Sequence, residues 1–228
     1  MGISNIRKVD KVANLRQRIG GSLAAAIISG ELAPGEMVTV PVLAAGFGVS
    51  ATPVREAILD LEQRGFVQCV ANKGFRVTEV SHKDLQEIIE IRTLLEGPIV
   101  AALAGMISPA DMPVWRRLAE LISEHADAGS LTDFLEADRE FHVGLIGLRG
   151  NRRLVALVGE LRSQTRMVGL VKMTNTPELS RSAQEHHEML DLIERGEGVA
   201  LQALMANHLS HILTWWGQAS EEELTIEK

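Results

Sequence analysis

Four polar side chains with metal-binding chemistry interrupt apolar helical stripes in the second half of the sequence. Asp138 and His142 are spaced i, i+4 within an otherwise apolar stripe, so both project from one face of a predicted helix. His186 and His208 occupy apolar positions of two further predicted helices. Burying each group alone is costly, because it loses its hydration without gaining a partner. A shared cation removes this cost, and the pattern predicts a metal site formed by all four residues.

The donor set restricts the identity of the ion. Three imidazoles and one carboxylate suit Zn²⁺, Ni²⁺, Fe²⁺, Mn²⁺ or Co²⁺ rather than Ca²⁺ or Mg²⁺, and the ligand types do not choose among the transition metals. Two alternative roles for the four residues are compatible with the same pattern. They could serve a metal-dependent enzyme, such as a hydrolase or a dioxygenase-like catalyst, although no general base lies one turn from a ligand on the same stripe. They could also form a hydrogen-bonded network without an ion.

The elements that carry these residues are predicted to be helices. Helical periodicity is continuous from Ser81 onward, and glycine and proline fall mainly at its breaks. Six predicted helices without a strand signal indicate an all-α bundle over residues 81–228. The helix-start signals lie at Ser81, Ser108, Ser130 or Thr132, Asn151, Thr176, and Gly196 to Gly198.

A different pattern, two short helices around a glycine-containing turn, occupies residues 43–61. Gly46 and Gly48 are assigned to the turn, and Ser50 is placed to cap the second helix through its side chain. Thr52 and Arg55 fall on the outer face near the start of that helix, where they can reach a DNA major groove. The inward stripe is predicted to consist of Val54, Ala57, Ile58 and Leu61.

Two short strands are predicted to follow this helix pair. Gly65 ends the second helix, and residues 66–70 and 75–80 have the pattern of strands around a turn at residues 71–74. Cys69, the single cysteine, has apolar neighbours and is predicted to be a small buried side chain. Together these elements predict a winged helix-turn-helix, with the hairpin as its wing.

The distribution of charge supports a division into two domains. The whole sequence has a net charge of −7, but residues 1–78 carry nine Lys and Arg against six Asp and Glu, a net charge of +3. The remaining residues carry 14 against 24, a net charge of −10. Because phosphate neutralisation depends on cations close to the DNA, we expect a DNA-binding domain at residues 1–80 and a separate body at residues 81–228.

The N-terminal pattern resembles the GntR family of bacterial transcription regulators. The resemblance rests on residues 28–35, 49–57, 61–67 and 72–74. Ala51 and Pro41 depart from it, because the family usually has arginine at both positions, and this changes the expected operator sequence more than DNA binding itself. The DNA-binding residues implied by the resemblance are Ser50, Thr52, Arg55, Lys73 and Gly74.

The C-terminal part resembles the FCD ligand-binding domain of the FadR-type subfamily. The matching motifs are residues 138–142, 184–190 and 205–209, and they align the metal ligands of that domain with Asp138, His142, His186 and His208. The resemblance implies an effector that is a small organic acid or sugar acid. Its implied binding residues are Arg92 and Asn151, and Arg162 and Arg166, which face the same side of the fourth predicted helix, are weaker candidates for the effector pocket. An interhelical ion pair with a neighbouring Glu is the alternative role for Arg92, and a helix N-cap is the alternative for Asn151.

These observations lead to one expected function. The chain is expected to be a homodimeric, metabolite-responsive transcription regulator that binds a palindromic operator, because two recognition helices must lie about one DNA turn apart. Repression is the commoner outcome in the family. Without a signal-peptide pattern or a long apolar run, a cytoplasmic location is expected.

Overall fold

The computed structural model describes residues 11–165 and 173–226, without the side chains of residues 11–14 and 215–226. By its internal contacts the chain divides into two compact units between Glu79 and Val80, next to the boundary expected at residue 80.

The first unit combines three helices with a small sheet. Its helices are α1 (Lys11–Ile28), α2 (Val40–Phe47) and α3 (Ala51–Gln63). The strands are β1 (Met37–Val38), β2 (Val67–Val70) and β3 (Gly74–Val77), paired antiparallel in the order β1-β3-β2. The hairpin of β2 and β3 is the predicted wing, whereas β1 was not predicted, since two residues are too few to show an alternating pattern.

Helix α3 buries the predicted stripe against α1. Val54, Ala57, Ile58 and Leu61 are at most 1% exposed, and α1 contributes Ile19, Leu23 and Ala24 to the same core.

Two local predictions about this helix pair were wrong. Ser50 occupies the N-cap position in extended conformation, but its side chain makes no capping hydrogen bond. Gly46 lies inside α2, and only Gly48 takes the left-handed conformation, with φ of 64°, that ends this helix.

The prediction that Cys69 is buried was also wrong, because its side chain is exposed. Val67 at the start of β2 packs into the core, but Gln68 and Cys69 are both exposed. Phe75, the cross-strand partner of Cys69 on β3, is buried, so the core covers that strand at this level and leaves Cys69 uncovered.

The second unit is all-helical over its described residues, which confirms the predicted fold class. Its helices are α4 (His82–Ala101), α5 (Met112–Asp127), α6 (Leu131–Gly147), α7 (Arg152–Thr165), α8 (Pro177–Arg195) and α9 (Gly198–Ile226). Helix α4 packs along α9 and α7, α5 lies against α6 and α8, and α8 also contacts α9. This arrangement turns one face of α6, α8 and α9 toward a common interior.

Local signals explain where these helices begin. Ser81 and Asp84 form a capping box at α4, in which each side chain accepts from the other residue's backbone N–H. Thr176 caps α8 through its hydroxyl, and Gly196 ends that helix with φ of 73°. Among the described residues, no single helix is both long and apolar enough to cross a membrane, although the bent pair α2 and α3 together meets those two criteria.

Candidate metal centre and nucleic-acid interface

Asp138, His142, His186 and His208 converge on one point inside the second unit. One potential ligand atom from each residue lies within 4.8 Å of those of the other three. The carboxylate and the first imidazole come from adjacent turns of α6, and the other two imidazoles come from α8 and α9. The three histidines are buried, and the side chain of Asp138 is 15% exposed. The packing of three helices therefore assembles the predicted donor set.

Hydrogen bonds outside the cluster decide which nitrogen of two histidines carries the proton. Nδ1 of His186 lies 3.0 Å from the carbonyl oxygen of Ala183, and Nδ1 of His208 lies 2.7 Å from Oε2 of Glu185. A carbonyl and an ionised carboxylate only accept, so both Nδ1 atoms donate. In the neutral form, each ring would consequently present the bare lone pair of its Nε2 to the cluster.

The centre of the cluster holds more acceptors than protons. Nε2 of His186 lies 3.0 Å from Nε2 of His142 and 3.3 Å from Oδ1 of Asp138. One proton on Nε2 of neutral His142 cannot serve all the lone pairs that meet there, and the buried Nδ1 of this ring has no hydrogen-bond partner among the residues that the structure describes. A divalent transition metal ion would satisfy these lone pairs together, so the residues present fit such an ion.

The electrostatic environment shifts the pKa values of the carboxylate and of two imidazoles of the cluster. Burial alone would raise the pKa of Asp138, but the Arg162 guanidinium and His142 hold it well below its usual value. Burial and then Arg162 lower the pKa of His142 well below 6.5, and burial lowers the pKa of His208. An ionised carboxylate and neutral imidazoles are the protonation states that bind metals.

Glu185 adjoins the candidate metal centre and was not predicted from the sequence. Its buried carboxylate accepts from Nδ1 of His208 at 2.7 Å and lies 2.8 Å from Nε2 of His211 and 3.3 Å from Nδ2 of Asn207. Burial raises the pKa of Glu185, but the hydrogen bonds from the two imidazoles outweigh it and lower the pKa to about 2. The available signal was the spacing of Asn207, His208 and His211 on one face of α9.

The two arginines predicted to hold the effector are buried, but both already form ion pairs with carboxylates of the chain itself. Arg92 donates from Nε to Oε1 of Glu96 at 2.6 Å and from Nη1 to Oγ1 of Thr165 at 2.9 Å. Arg162 donates to Oε2 of Glu96 and to Oδ2 of Asp138, both at 2.7 Å. The alternative for Arg92, an ion pair with a nearby Glu, is therefore present, and it lies within α4 rather than between helices.

The third predicted effector residue lies away from this network. Asn151 is exposed, and its Oδ1 accepts from the backbone N–H groups of Arg153 and Leu154. It is thus the N-cap of α7, and the helical rise of 1.5 Å per residue places it about 16 Å from Arg162 along the axis. Arg166 lies outside the described residues.

The residues predicted to contact DNA lie on the surface of the first unit. Ser50, Thr52 and Arg55 are exposed at the N-terminal end of α3, and Lys73 is exposed at the hairpin turn. Within the described part of the chain, no carboxylate pairs with Arg55. The start of a recognition helix with free polar side chains can enter a major groove, while a wing lysine can reach phosphate.

Gly74 has a structural requirement that is separate from DNA binding. Its φ is 118°, and an added Cβ would lie 2.5 Å from the carbonyl oxygen of Val38 on β1. Only glycine fits where β1 and β3 approach this closely.

Comparison with known proteins agrees with both units. Residues 15–77 match the family described as bacterial regulatory proteins, gntR family, and residues 87–211 match the FCD domain. The transcriptional regulator YdhC of Bacillus subtilis is 25% identical over 214 residues, which cover 90% of this chain and 96% of YdhC. A probable D-xylose utilization operon transcriptional repressor of Paenarthrobacter nicotinovorans is 28% identical over 82% of each chain.

Solved structures show the same fold. McbR of Escherichia coli superposes with a TM-score of 0.68 and 23% identity, covering 90% of this chain and 98% of McbR. A GntR regulator from Rhodococcus sp. RHA1 superposes with a TM-score of 0.63 at 23% identity, over 90% and 99%. The matched families and relatives are transcription regulators rather than enzymes. The chain therefore belongs to the gntR family of bacterial transcription regulators, in the group whose second domain is an FCD domain.

Proposed function

We propose that this regulator is a homodimeric repressor that binds a palindromic operator and responds to a small carboxylate bound at a transition metal ion. The observation that carries the proposal is the convergence of bare imidazole lone pairs and the Asp138 carboxylate at one buried point. Asp138, His142, His186 and His208 would hold the ion. On an ion that accepts more than four ligands, these residues would leave room for a carboxylate-bearing metabolite to bind.

The buried charges around the cluster favour an anionic effector only when the metal is present. The positive charges of Arg92 and Arg162 are balanced by the negative charges of Glu96 and Asp138. A divalent ion held by Asp138 and neutral imidazoles adds two positive charges to this balanced set. Even when the ionised carboxylate of Glu185 is counted, the metal-bound site would be positive, whereas without the ion an acid would meet no net positive charge.

Operator binding is assigned to the exposed N-terminal end of α3 and to the hairpin. Ser50, Thr52 and Arg55 would contact the major groove, and Lys73 with the backbone at Gly74 would contact the sugar–phosphate backbone. A single recognition helix reads only a half-site, so two copies are needed for tight binding. Repression is supported by the Paenarthrobacter relative, which is described as a repressor. A regulator of bacterial DNA acts in the cytoplasm.

Dimerisation is proposed to use the outer face of α4. Ile91 and Leu94, spaced i, i+3, are 44% and 69% exposed. Exposed apolar side chains on one helical face mark a surface that gains free energy by being covered. A second copy is the occupant that operator binding requires.

Elemental analysis of protein purified without chelator tests the metal site. The wild type should contain a stoichiometric transition metal, and His208→Ala should lose it. His187→Ala is the matched control, because this neighbour contacts Ser123 rather than the cluster and its loss should leave the metal content unchanged. A wild-type protein that neither contains nor takes up Zn²⁺, Ni²⁺, Mn²⁺ or Co²⁺ would overturn the metal assignment.

Effector and operator binding need separate measurements. Thermal shift with citrate, pyruvate and gluconate should show stabilisation by at least one acid, and chelator should abolish it, since ligand binding raises the melting temperature by mass action.

Fluorescence anisotropy with DNA from upstream of the gene should show binding that is weakened by Arg55→Ala. The exposed Arg153 of the other unit supplies a control, and equal binding by Arg55→Ala and Arg153→Ala would contradict the assignment of α3 as the reading helix.

A further inference from the structure

A cavity of about 480 Å³ opens at the end of the second unit where α4 stops, α5 starts and α6 ends. It is distinct from the metal cluster, none of whose four residues lines it. The volume lies within the range of small-molecule sites in proteins, about 300–1,000 Å³. The lining is mostly apolar and consists of Leu103, Met106, Ile107, Ser108, Asp111, Val114, Trp115, Leu148 and Arg149.

Large apolar side chains are left in contact with water at this cavity. Met106 is 65% exposed, Val114 64% and Leu148 50%. They come from three separate segments, so their exposure is not the incidental outer face of one helix. Leaving them uncovered costs free energy that an apolar ligand would recover.

The two charged side chains of the lining differ in the hydrogen-bond and ion-pair partners that they already have. Asp111 accepts from the Ser108 hydroxyl at 2.7 Å and precedes the first turn of α5, where a negative charge is stabilised by the helix dipole. Arg149 has, among the described residues, only a weak contact with Sδ of Met106 at 3.7 Å and no carboxylate partner. The cavity therefore has one available cation beside an apolar wall.

We propose that this cavity is a second ligand site, for a small amphipathic molecule with an aromatic or aliphatic body and one anionic group. The body would pack against Trp115, Val114 and Leu148, and the anion would bind the guanidinium of Arg149, which is suited to carboxylate, sulfonate or phosphate oxygens. The site is independent of the proposed metal function, because no metal ligand takes part.

Trp115 makes occupancy of the cavity measurable. Its indole packs so closely on α6 that a Cβ on Gly144 would lie 2.9 Å from the ring. The same ring meets Phe141 edge-on at 6.3 Å between centroids, and Phe141 in turn contacts the His186 ring at 4.9 Å. A bound molecule would therefore touch a tryptophan that packs against the wall of the metal cluster.

Titration of the full chain with anilinonaphthalene sulfonate tests the site, because this probe has an aromatic body and one anionic group. We expect saturable binding with one probe per chain, accompanied by quenching of tryptophan emission. Val114→Glu should weaken binding by about tenfold or more, since it places a carboxylate against the apolar body of the probe. Val199→Glu is the matched control: Val199 is 89% exposed on α9, outside the cavity lining, and its substitution should leave the affinity unchanged.

A neutral analogue of the probe tests the role of the cation. Arg149→Ala should weaken the sulfonate probe several-fold but leave phenylnaphthylamine, which lacks the anionic group, unaffected. Arg152→Ala removes a nearby exposed arginine and should change the affinity of neither probe. Chelator and His208→Ala should also leave probe affinity unchanged, which separates this site from the metal centre. The proposal would be overturned if the Val114→Glu and Val199→Glu variants bound the probe equally, or if probe binding did not saturate. It would also be overturned if the wild type self-associated and Val114→Glu abolished this, because the apolar surface would then be covered by a second copy of the chain.

Discussion

Among single residues, Glu185 has the clearest indirect role at the candidate metal centre. It accepts from Nδ1 of His208 and thereby leaves Nε2 of that ring directed at the cluster without a proton. The carboxylate also holds His211 and Asn207, so it links neighbouring turns of α9 to α8. We therefore propose that Glu185 positions His208, one of the four candidate ligands.

Glu185→Gln should weaken transition metal binding by about 10–100-fold without abolishing it, because the amide is a poorer acceptor and can also donate toward His208. Competition with a fluorescent chelator measures this affinity. Glu188→Gln is the matched control, since Glu188 is exposed on the same helix, and it should bind metal like the wild type. If the two variants behave alike, Glu185 does not orient His208.

At the scale of elements, helix α4 depends on its N-terminal cap. Ser81→Ala removes a hydroxyl that accepts from the backbone N–H of Asp84, and should lower the free energy of unfolding of the second unit by about 1 kcal/mol. Urea denaturation measures the change. Ser130→Ala is the control, because Ser130 occupies the N-cap of α6 but makes no capping bond to the backbone. Equal losses in both variants would show that the capping box does not stabilise α4.

The ion pairs around Glu96 tie α4 to α6 and α7. Burial raises the pKa of Glu96, but the positive charges of Arg92 and Arg162 outweigh this effect, and the pKa in the folded protein lies below 4.5. A depressed pKa in the folded state means that the ionised carboxylate stabilises the fold above pH 4.5, and that this contribution is lost as the pH falls through the folded-state pKa.

Glu96→Gln should therefore destabilise the protein by about 3 kcal/mol at pH 7, because it leaves two buried guanidinium groups short of a counter-charge. The difference from the wild type should shrink as the pH falls below 4.5. Thermal denaturation from pH 7 to pH 3 measures both effects, with Glu90→Gln as an exposed control on the same helix. A difference that stays constant with pH would show that the ionised form of Glu96 is not the stabilising one.

For the whole molecule, the proposed function requires two chains on one operator. Leu94→Glu should convert the dimer to monomers, because it places a charge on the apolar outer face of α4, and should weaken operator binding by at least about tenfold. Analytical ultracentrifugation and fluorescence anisotropy measure the two effects. Val199→Glu, at another exposed apolar position, should remain dimeric. A Leu94→Glu variant that stays dimeric would place the interface elsewhere.

Predictions from the sequence succeeded where a local pattern was sufficient. The 3.6-residue period placed Asp138, His142, His186 and His208 on inward faces. This was possible because the apolar face of a helix follows from the sequence of that helix alone. The six C-terminal helices were located for the same reason. The Cys69 prediction failed, since the burial of a strand residue depends on which element lies above it.

The sequence by itself determined the two-part architecture, the helical faces that carry the metal-binding groups and the exposed start of α3, because periodicity, capping and turn residues act within short segments. Only the tertiary structure decided what those groups touch. Glu96 holds Arg92 and Arg162, although Arg162 lies 66 positions further along the chain, and Glu185 selects the tautomer of His208 from a different helix. Such pairings follow from how helices pack, and packing is a property of the whole core rather than of any segment.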